Sequence, residues 1–591
     1  MKPQEKVFEL QKLMKDHQIE AWIVPSTDPH QSEYVAEHWK GRAWLSGFTG
    51  SAGTIVVTGD KSGLWTDPRY HLRAEQELEG SGIELFREGL PDVPNFRKWL
   101  IQELNSGDTV GFDGSVLSQQ EVRKLERAFQ EKDIQLNYQH DLVGQLWDDR
   151  PIIPRNPIFL HGTEFAGETR GSKFQRVREK LKENGFQAQV VTGLDEIAWL
   201  FNIRGSDVLY NPVAICYAVI SEWEVRLFIY RDKVPPEVRA ALVEEGIEFS
   251  EYEDIFSYWQ QLPEETMVLI DPEKTSYKME RIISKSCRTK KGMSIPYLMK
   301  AVKNEVELEG LRQAHIRDGV AMVKWMYWLD QQGENFQHTE ITVADKLTEF
   351  RSQGEYFQGL SFGTISAYQA NSAVGHYNPQ PETTPTLRLE GIFLIDSGGQ
   401  YLDGTTDITR TLSLGGATDK QKQVFTRVLK GLIRLSRARF PKGVKGNELD
   451  AITREPLWQQ GWNCRHGIGH GIGSYLNVHE GPQKFAVGNK TPFEPGMVAT
   501  NEPGVYFPGK FGCRIENVLV TIPDEATDFG EFYGFETITL CPIDLELVDD
   551  SLLTEGEVSW LNEYHQWVFD TLSPFLSQEE KEWLEQETRS I

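Results

Sequence analysis

Two aspartates, each at one end of an apolar run, are the first candidates for chemistry in this sequence. Asp396 closes the apolar run 392–395, and Asp407, eleven residues later, precedes the β-branched run 408–412. Glycines and aspartates between the runs are typical of turns, so we expect neighbouring antiparallel strands that bring both carboxylates to one place. A carboxylate at the end of a buried strand is costly unless a cation pairs with it. Because no lysine is near in the sequence, we expect a bound cation to be the partner.

Further candidate ligands and catalytic groups lie in four stretches after residue 373. The stretches are VGHYNP at 374–379, RHGIGHGIG at 465–473, NVHEGP at 477–482, and TNEPGVY at 500–506, which is followed by GCRIENVLV from residue 512. The candidate side chains in them are His376, His466, His470, His479, Glu502 and Glu516.

Glycines surround His466 and His470, and their density argues against a helix at this point. The two histidines are four residues apart, but without a helix they do not form the helical two-histidine zinc motif. A glycine-rich loop lets the backbone approach a ligand and leaves an imidazole free to point into a cleft. Glu516 lies in the alternating run 514–520, which predicts one strand with Arg514 and Glu516 on the same face.

Each of these residues alone has an ordinary structural explanation, as a turn aspartate, a structural histidine or a solvated glutamate. Together they are four carboxylates and at least one imidazole in apolar or glycine-rich surroundings. Four negative charges match two divalent cations, and ligands with mostly oxygen and no thiolate favour manganese over a structural zinc site. Two ions bridged by carboxylates can hold a hydroxide for attack. The residues predict a dinuclear metallohydrolase and leave its substrate open.

The bulk composition restricts what the protein binds and where it works. The chain has 591 residues and a net charge of −26, which argues against nucleic acid or an anionic membrane as a partner. Its five cysteines are scattered without a CxxC pair, so we expect free thiols in a reducing compartment. The first residues are too charged for a signal peptide, and no run is long and apolar enough to span a bilayer. These features predict a cytoplasmic protein.

Three domains are expected from the length and texture of the chain. Strands alternate with helices in residues 1–152, which predicts an α/β domain whose first helix covers 3–17. Residues 153–300 repeat this arrangement, because an Ala-Trp-Leu tripeptide precedes a Gly-Ser dipeptide at the same spacing in 43–51 and in 198–206. A proline-rich segment between the copies is a plausible linker, and the second copy is expected to be scaffold or dimer surface.

Residues 301–591 have a different texture and indicate an α+β domain, a sheet backed by helices. Helices are predicted at 303–332, 340–352, 418–439 and 447–460, with Thr418 and Asn447 as N-caps. From about residue 525 we expect an extension of further strands and a final helix near 575–588, used for packing or dimerisation.

The string from 396 to 410 and the stretches around His470, His479, Glu502 and Glu516 resemble those of the aminopeptidase P (Xaa-Pro aminopeptidase) family of pita-bread metallopeptidases. The resemblance covers essentially the whole chain, and five ligand positions fall in the family's order and spacing. It implies the long cytoplasmic type of the family, in which two related creatinase-N-like α/β domains precede a pita-bread α+β catalytic domain. It also implies a homodimer and two divalent metal ions per subunit, with Mn(2+) as the expected metal.

The resemblance also implies a role for each candidate residue. For the metal ions it implies Asp396 on one ion, His470 on the other, Asp407 and Glu516 bridging both, and Glu502 as ligand and general base. For the peptide it implies contacts from Arg69, His376, His470 and His479, of which His376 and His479 are also catalytic because they hold the carbonyl and pass protons. It implies supporting positions for His466, Tyr506 and Arg514.

The implied activity is removal of the N-terminal residue from peptides with proline in second position, by attack of a hydroxide held between the two metals. The bond before proline has no N–H, so this site does without a donor contact that an ordinary peptidase uses. A prolidase is the first alternative, since it uses similar ligands on Xaa-Pro dipeptides, and the duplicated N-terminal half favours the aminopeptidase. A non-catalytic pita-bread module that binds peptides is the second, and the presence of all five ligand positions argues against it.

Overall fold

The computed structural model describes residues 1–333 and 337–591, and the chain in it forms two compact units. The first unit contains Met1–His161 and Thr169–Pro296, and the second contains Gly162–Glu168 and Tyr297–Ile591. Among the described residues, we find no helix with the length and apolar character that crossing a membrane requires. The predicted domain limits at residues 152, 300 and about 525 stay predictions.

The first unit begins with a six-stranded sheet covered by helices. Its elements are α1 (Pro3–Asp16), β1 (Ala21–Val24), α2 (Gly41–Ser46), β2 (Thr54–Thr58), β3 (Ser62–Thr66), α3 (His71–Glu77), β4 (Glu84–Arg87), α4 (Phe96–Glu103), β5 (Thr109–Phe112), α5 (Gln119–Phe129), β6 (Gln135–Asn137) and α6 (Leu142–Leu146). The strand order is β4-β3-β2-β1-β5-β6. Val7, Leu10 and Met14 of α1 are buried at helical spacing, so the helix predicted at 3–17 is confirmed, and it packs on the sheet.

A second six-stranded sheet follows in the same unit. The elements from here to residue 291 are β7 (Phe159–Leu160), α7 (Thr163–Ala166), α8 (Arg170–Glu183), β8 (Ala188–Val191), α9 (Leu194–Phe201), β9 (Ile203–Arg204), β10 (Tyr217–Ser221), β11 (Val225–Phe228), α10 (Pro236–Glu244), β12 (Ile247–Ser250), α11 (Ile255–Tyr258), β13 (Met267–Ile270), α12 (Tyr277–Ser286) and β14 (Arg288–Lys291). Of these, α7 belongs to the second unit.

The two sheets share one topology. The second sheet has the order β12-β11-β10-β8-β13-β14, which matches the first strand by strand. In both, the second and third of the five pairings along this order are antiparallel and the other three are parallel. The prediction of two related α/β domains is therefore confirmed, although the sequence signal for it was only a few residues long.

The second unit mixes long helices with antiparallel strands. Its further elements are α13 (Ile295–Ala301), α14 (Glu305–Asp330), α15 (Glu340–Ser352), β15 (Phe357–Leu360), β16 (Ile365–Tyr368), β17 (Ile392–Ser397), β18 (Gly399–Tyr401), β19 (Gly404–Thr405), β20 (Ile408–Ser413), α16 (Asp419–Ser436), β21 (Phe440–Pro441), α17 (Gly446–Trp458), β22 (Gly469–Gly471), β23 (Glu480–Phe485), β24 (Val498–Asn501), β25 (Gly504–Phe507), β26 (Phe511–Arg514), β27 (Asn517–Pro523), β28 (Phe532–Thr537), α18 (Glu555–Leu572) and α19 (Gln578–Glu587).

Two of its sheets carry the residues of interest. A three-stranded sheet has the order β16-β17-β20, and a six-stranded sheet has the order β21-β28-β27-β24-β22-β23. Helices α16, α17 and α18 pack on strands of the larger sheet through one apolar cluster, to which Leu429, Leu457, Leu519 and Leu561 belong. This arrangement is the predicted pita-bread α+β domain.

Helices α14 to α17 lie where the sequence predicts them, and Thr418 caps α16 by accepting from the backbone N–H of Gln421. Asn447 is not an N-cap, because α17 already begins at Gly446 and Lys445 precedes it. After residue 525 the described chain contains one strand, β28, where several were expected. The 18-residue helix α18 was missed, although Thr554 and Glu557 form a capping box at its start.

Candidate metal centre

Asp396 lies in one strand, and Asp407 lies directly before the neighbouring antiparallel strand. Strand β17 pairs with β20, and Asp396 is directly opposite Thr409 in this pairing. Asp407 is the residue before β20, so the pairing brings the two carboxylates to the same end of the two strands. The predicted geometry of this pair is confirmed, with the short strands β18 and β19 in the connection.

The other three predicted ligands lie on adjacent strands of the six-stranded sheet. His470 is the middle residue of β22, which pairs with β24, and β24 pairs with β27. Glu502 directly follows β24 and Glu516 directly precedes β27, and Asn501 is opposite Asn517. Strand pairing therefore places Glu502 and Glu516 side by side.

The side chains converge from these two sheets into one buried site. One ligand atom each from Asp407, His470 and Glu516 lie within 4.8 Å of one another. The Nε2 atom of His470 is 3.6 Å from Oδ2 of Asp407 and 3.7 Å from Oε1 of Glu502. Asp396 lies close enough to this set for its charge to raise the pKa of Asp407, Glu502 and Glu516.

The carboxylates disturb one another's protonation. Burial raises the pKa of Asp407 well above its usual range, and the Glu516 and Asp396 charges raise it further. Burial also raises the pKa of Glu516 well above its usual range, with Asp396 and Glu502 adding to the effect. Arg514 supplies one positive charge against four carboxylates. Four such groups ionise together only with more positive charge among them, which suits the set to divalent cations.

Asp396 has a cationic partner that the sequence did not reveal. The guanidinium of Arg514, a fully buried group 118 residues further along the chain, donates from Nη2 to Oδ2 of Asp396. The expectation of a bound cation did not include this guanidinium, because it considered neighbours in sequence alone. The second oxygen, Oδ1, is buried without a hydrogen-bond partner among the described residues. An orphaned carboxylate oxygen of this kind fits a metal ion.

The backbone around His470 fixes the tautomer of its ring. Its Nδ1 lies 2.9 Å from the carbonyl oxygen of Gly471, and since a carbonyl only accepts, Nδ1 carries the proton. The lone pair is then on Nε2, the atom that faces Asp407 and Glu502. A neutral imidazole with its other nitrogen held by a carbonyl is the usual state of a metal-binding histidine.

A hydrogen-bonded chain runs behind the ligands. Arg514 Nη1 donates to the hydroxyl of Tyr506 at 2.6 Å, and Nε2 of His466 lies 2.8 Å from the same hydroxyl. Nδ1 of His466 contacts the Gly467 carbonyl at 2.7 Å and is 3.8 Å from Oε2 of Glu502. Burial lowers the pKa of His466, so this ring is neutral and orients its neighbours.

Thr409 and Arg410, which lie in strand β20 shortly after Asp407, hold Glu516 in place, and the sequence analysis did not identify either of them. Thr409 donates from its hydroxyl to Oε2 of Glu516 at 2.7 Å, and its carbonyl accepts from the Glu516 N–H at 3.0 Å. Arg410 Nη1 donates to the carbonyl oxygen of Glu516 at 2.7 Å, and Nη2 reaches the hydroxyl of Tyr564 in α18 at 3.0 Å. The alternation of β20 was a usable signal, since it places Thr409 on the same face as Asp407.

The predicted single strand 514–520 is interrupted. Strand β26 ends at Arg514 and β27 begins at Asn517. Between them, the N–H of Glu516 bonds to Thr409 rather than to a neighbouring strand of its own sheet. Arg514 and Glu516 therefore reach the site from a bend, and the shared strand face that alternation predicted was wrong.

The other residues expected to contact peptide are His479, His376 and Arg69. The ring centroid of His479 is 4.3 Å from that of His470, edge to face, which puts His479 beside the site. His376 is half-buried in the segment before β17, and the hydroxyl of its neighbour Tyr377 donates to Glu340 at 2.7 Å. Arg69 lies in the first unit, where it donates from Nε and Nη2 to Asp67, both at 2.8 Å.

Family models cover nearly all of the chain. Residues 309–522 match "Metallopeptidase family M24", and residues 531–591 match "C-terminal region of peptidase_M24". Residues 7–142 and 149–307 match two models, both described as "Creatinase/Prolidase N-terminal domain". The duplicated α/β arrangement and the third domain are thus each found in known families.

Two relatives are similar over almost their whole length. The chain is 43% identical over 600 residues to "Probable Xaa-Pro aminopeptidase P" of Laccaria bicolor, which covers 99% of this chain and 93% of that protein. It is 39% identical over 609 residues to "Xaa-Pro aminopeptidase 1" of Dictyostelium discoideum, with 99% and 96% covered.

Solved structures show the same fold. The X-prolyl aminopeptidase from Caenorhabditis elegans, described as a cytosolic enzyme with a di-nuclear active site, matches with a TM-score of 0.95 and 35% identity, and all of both chains is covered. The prolidase from Pyrococcus horikoshii matches with a TM-score of 0.50 and 24% identity, over 63% of this chain and 99% of that chain. At this identity the second match shows the fold alone.

Proposed function

The chain belongs to the Xaa-Pro aminopeptidases of metallopeptidase family M24, and from this premise we propose that it removes the N-terminal residue from peptides with proline in second position. The observation that carries the proposal is the convergence of Asp396, Asp407, His470, Glu502 and Glu516, from two sheets, into one buried site. All are residue types that bind metal through oxygen or imidazole nitrogen.

We propose that these five side chains hold two divalent cations, and that the metal is manganese because oxygen ligands dominate and no thiolate is present. Asp396 would bind one ion, His470 the other, and Asp407 and Glu516 both, with Glu502 completing the set. When bound, such ions activate water and polarise the carbonyl of the scissile bond.

Glu502 is the proposed general base. Its side chain is 18% exposed, against 6% for Asp407 and 11% for Asp396, so it is the carboxylate among these three most open to water and substrate. Nδ1 of His466 and Nε2 of His470 lie 3.8 Å and 3.7 Å from its two oxygens, so the carboxylate lies between the two rings. From there it takes the proton of the attacking water.

His479 and His376 are proposed to hold the peptide carbonyl and to return a proton to the proline nitrogen. For His479 the support is its ring contact with His470. Arg69 is proposed to contact the peptide, as the family resemblance implies. Because proline has no N–H, the site loses nothing by offering no acceptor at that position.

The prolidase alternative is separable by substrate length. This chain carries two related α/β stretches, 7–142 and 149–307, before the stretch that matches family M24. We propose that this duplicated half favours longer peptides. An Xaa-Pro-Xaa tripeptide should be cleaved between its first two residues faster than the matching Xaa-Pro dipeptide. Activity restricted to dipeptides would contradict the aminopeptidase assignment.

We further propose that the protein is a cytoplasmic homodimer whose partner is peptide. The cytosolic description of the Caenorhabditis elegans enzyme and the net charge of −26 support this location and the exclusion of nucleic acid. A non-catalytic peptide-binding module is disfavoured, because none of the five ligand positions has been replaced.

A further inference from the structure

A buried cluster of three charged side chains lies next to His479 and is not used by the reaction above. Lys300 donates from Nζ to Oε1 of Glu480 at 2.6 Å, and Lys303 donates to Oε2. Lys303 Nζ also donates to the carbonyl oxygen of Lys300 at 2.9 Å. The side chains of Lys300, Lys303 and Glu480 are 0%, 1% and 2% exposed. We call these residues the Lys300–Glu480–Lys303 triad.

The triad joins two parts of the chain that are 177 residues or more apart. Glu480 is the first residue of β23 and follows His479 directly. It is opposite Gly471 of β22, the residue after His470, in a pairing that shifts register between His470 and Gly471. Both of its carboxylate oxygens are thus tied to the segment before α14, while its backbone lies beside a predicted metal ligand.

The other side of His479 is held as well. Asn477 donates from Nδ2 to the His479 carbonyl at 3.0 Å, and the N–H of His479 donates to Oδ1 of Asn477 at 3.4 Å. A short segment is therefore fixed at Asn477 and at Glu480, and His479 lies between these two anchors.

Burying three charged side chains contributes little net stability. Desolvation of each ion cancels much of the attraction, and apolar residues of similar size often replace such clusters with no loss of stability. What an apolar replacement does not reproduce is direction, since two ammonium groups on two oxygens fix how a carboxylate and its backbone lie. The triad is therefore better suited to placing a neighbouring residue than to stabilising the fold.

We propose that Lys300, Lys303 and Glu480 are positioning residues that hold His479 at the distance from the metal centre that catalysis needs. This inference rests on the proposed function, because it assigns the triad a role in the same reaction. Lys300 and Lys303 lie within the stretch 149–307 that matches the creatinase/prolidase N-terminal domain, outside the matched metallopeptidase stretch. Both lysines nevertheless belong to the second compact unit, so the triad lies wholly within it.

The test compares Lys303→Met with a fully apolar triad. Lys303→Met leaves the Lys300–Glu480 pair intact, so the buried charges stay balanced and the chain should fold. We expect its kcat on a proline-second tripeptide to fall about ten- to hundredfold, with KM within about twofold and two metal ions retained, because a small displacement of a catalytic group has this effect. Lys303→Arg should keep most of the activity. The triple variant Lys300→Met/Lys303→Met/Glu480→Leu should have an unfolding midpoint close to that of the wild type. Its kcat should nevertheless stay well below the wild-type value.

A second buried ion pair provides the control. Lys430 of α16 pairs with Glu557 of α18, at 6% and 7% side-chain exposure. Lys430→Met should lower the unfolding midpoint and leave kcat unchanged. Wild-type kcat in Lys303→Met or in the triple variant, loss of metal from Lys303→Met, or an equal fall of kcat in Lys430→Met would overturn the proposal. An inactive but metal-loaded wild type would instead refute the proposed function.

Discussion

Arg514 donates to one carboxylate oxygen of Asp396 and leaves the other oxygen of that carboxylate without a hydrogen-bond partner among the described residues. The two carboxylate oxygens of Asp396 therefore have different roles. One oxygen is held in place by a guanidinium, and the other is available to a metal ion. The same guanidinium also donates to Tyr506 and, at 3.1 Å, to the hydroxyl of Thr409, so one residue orients two sides of the site.

Replacing Arg514 should therefore weaken metal binding without touching a ligand. Arg514→Met leaves Asp396 buried without its partner, and we expect metal affinity to fall about 10- to 100-fold, as for other residues that orient ligands. Isothermal titration calorimetry with manganese measures this affinity. Arg514→Lys keeps the charge but not the forked geometry and should give an intermediate value. An unchanged affinity in Arg514→Met would show that the pair does not orient Asp396.

Glu516→Ala should remove metal and activity together. Glu516 is the proposed bridge between both ions, and an incomplete set of ligands does not hold them. Elemental analysis after dialysis against manganese should find few or no ions in this variant. Glu525→Ala, at a side chain that is 83% exposed, is the control and should retain both ions. Full metal content in Glu516→Ala would refute its bridging role.

His479→Ala should separate metal binding from catalysis. The ring lies beside His470 but is proposed to act on the peptide, so the ions should remain while kcat falls by roughly two powers of ten or more. Steady-state kinetics with metal analysis on the same preparation decides this. If kcat is unchanged, His479 has no part in the reaction, and the positioning role of the triad fails with it.

Arg410 links α18 to the backbone of Glu516, and replacing it should lower the free energy of unfolding. Its guanidinium donates to the carbonyls of Thr409, Glu516, Cys541 and Pro542. Arg410→Met removes a donor from each of these four buried carbonyls. Those of Thr409 and Cys541 still accept from the Glu516 N–H and the Tyr564 hydroxyl, but those of Glu516 and Pro542 lose the Arg410 donor, and we expect about 3 kcal/mol or more of destabilisation in urea unfolding. Arg388→Met, at a side chain that is 78% exposed, should change stability by less than about 0.5 kcal/mol. Equal effects in the two variants would contradict this link.

Glu196 in the first unit should make stability depend on pH. Burial raises its pKa to about 8, above the ordinary 4.5, and Ser294 donates to one of its oxygens. The folded chain then keeps a proton that the unfolded chain releases, so this contribution is complete below pH 4.5 and is lost as the pH rises towards 8. The wild-type Tm should fall from pH 5 to pH 8 by more than that of Glu196→Gln. Parallel pH curves for the two proteins would show that Glu196 does not titrate in this range.

Much of the fold and of the site was predictable from local patterns. The antiparallel pairing that carries Asp396 and Asp407 follows from two apolar runs with turn residues between them. The predicted helices at 340–352 and 418–439 follow from apolar spacing and a cap. The five side chains proposed as metal ligands come together because they lie in, or directly beside, strands β22, β24 and β27 of one sheet and β17 and β20 of another.

The rest was hidden because it depends on contacts between distant residues. The pair of Arg514 and Asp396 spans 118 residues, and no local pattern reports it. The bend at Glu516 arises because its N–H bonds to Thr409 rather than to a strand partner. The triad around Glu480 is equally invisible, since lysines at 300 and 303 look like solvated residues until their burial is known.

The most direct test of the account is the number of metal ions bound per chain in the wild-type protein, measured by elemental analysis after dialysis against a manganese buffer. The five convergent ligands predict two ions per chain. A protein that cleaves proline-second peptides while it binds none, or only one, would contradict the dinuclear centre on which the mechanism is built.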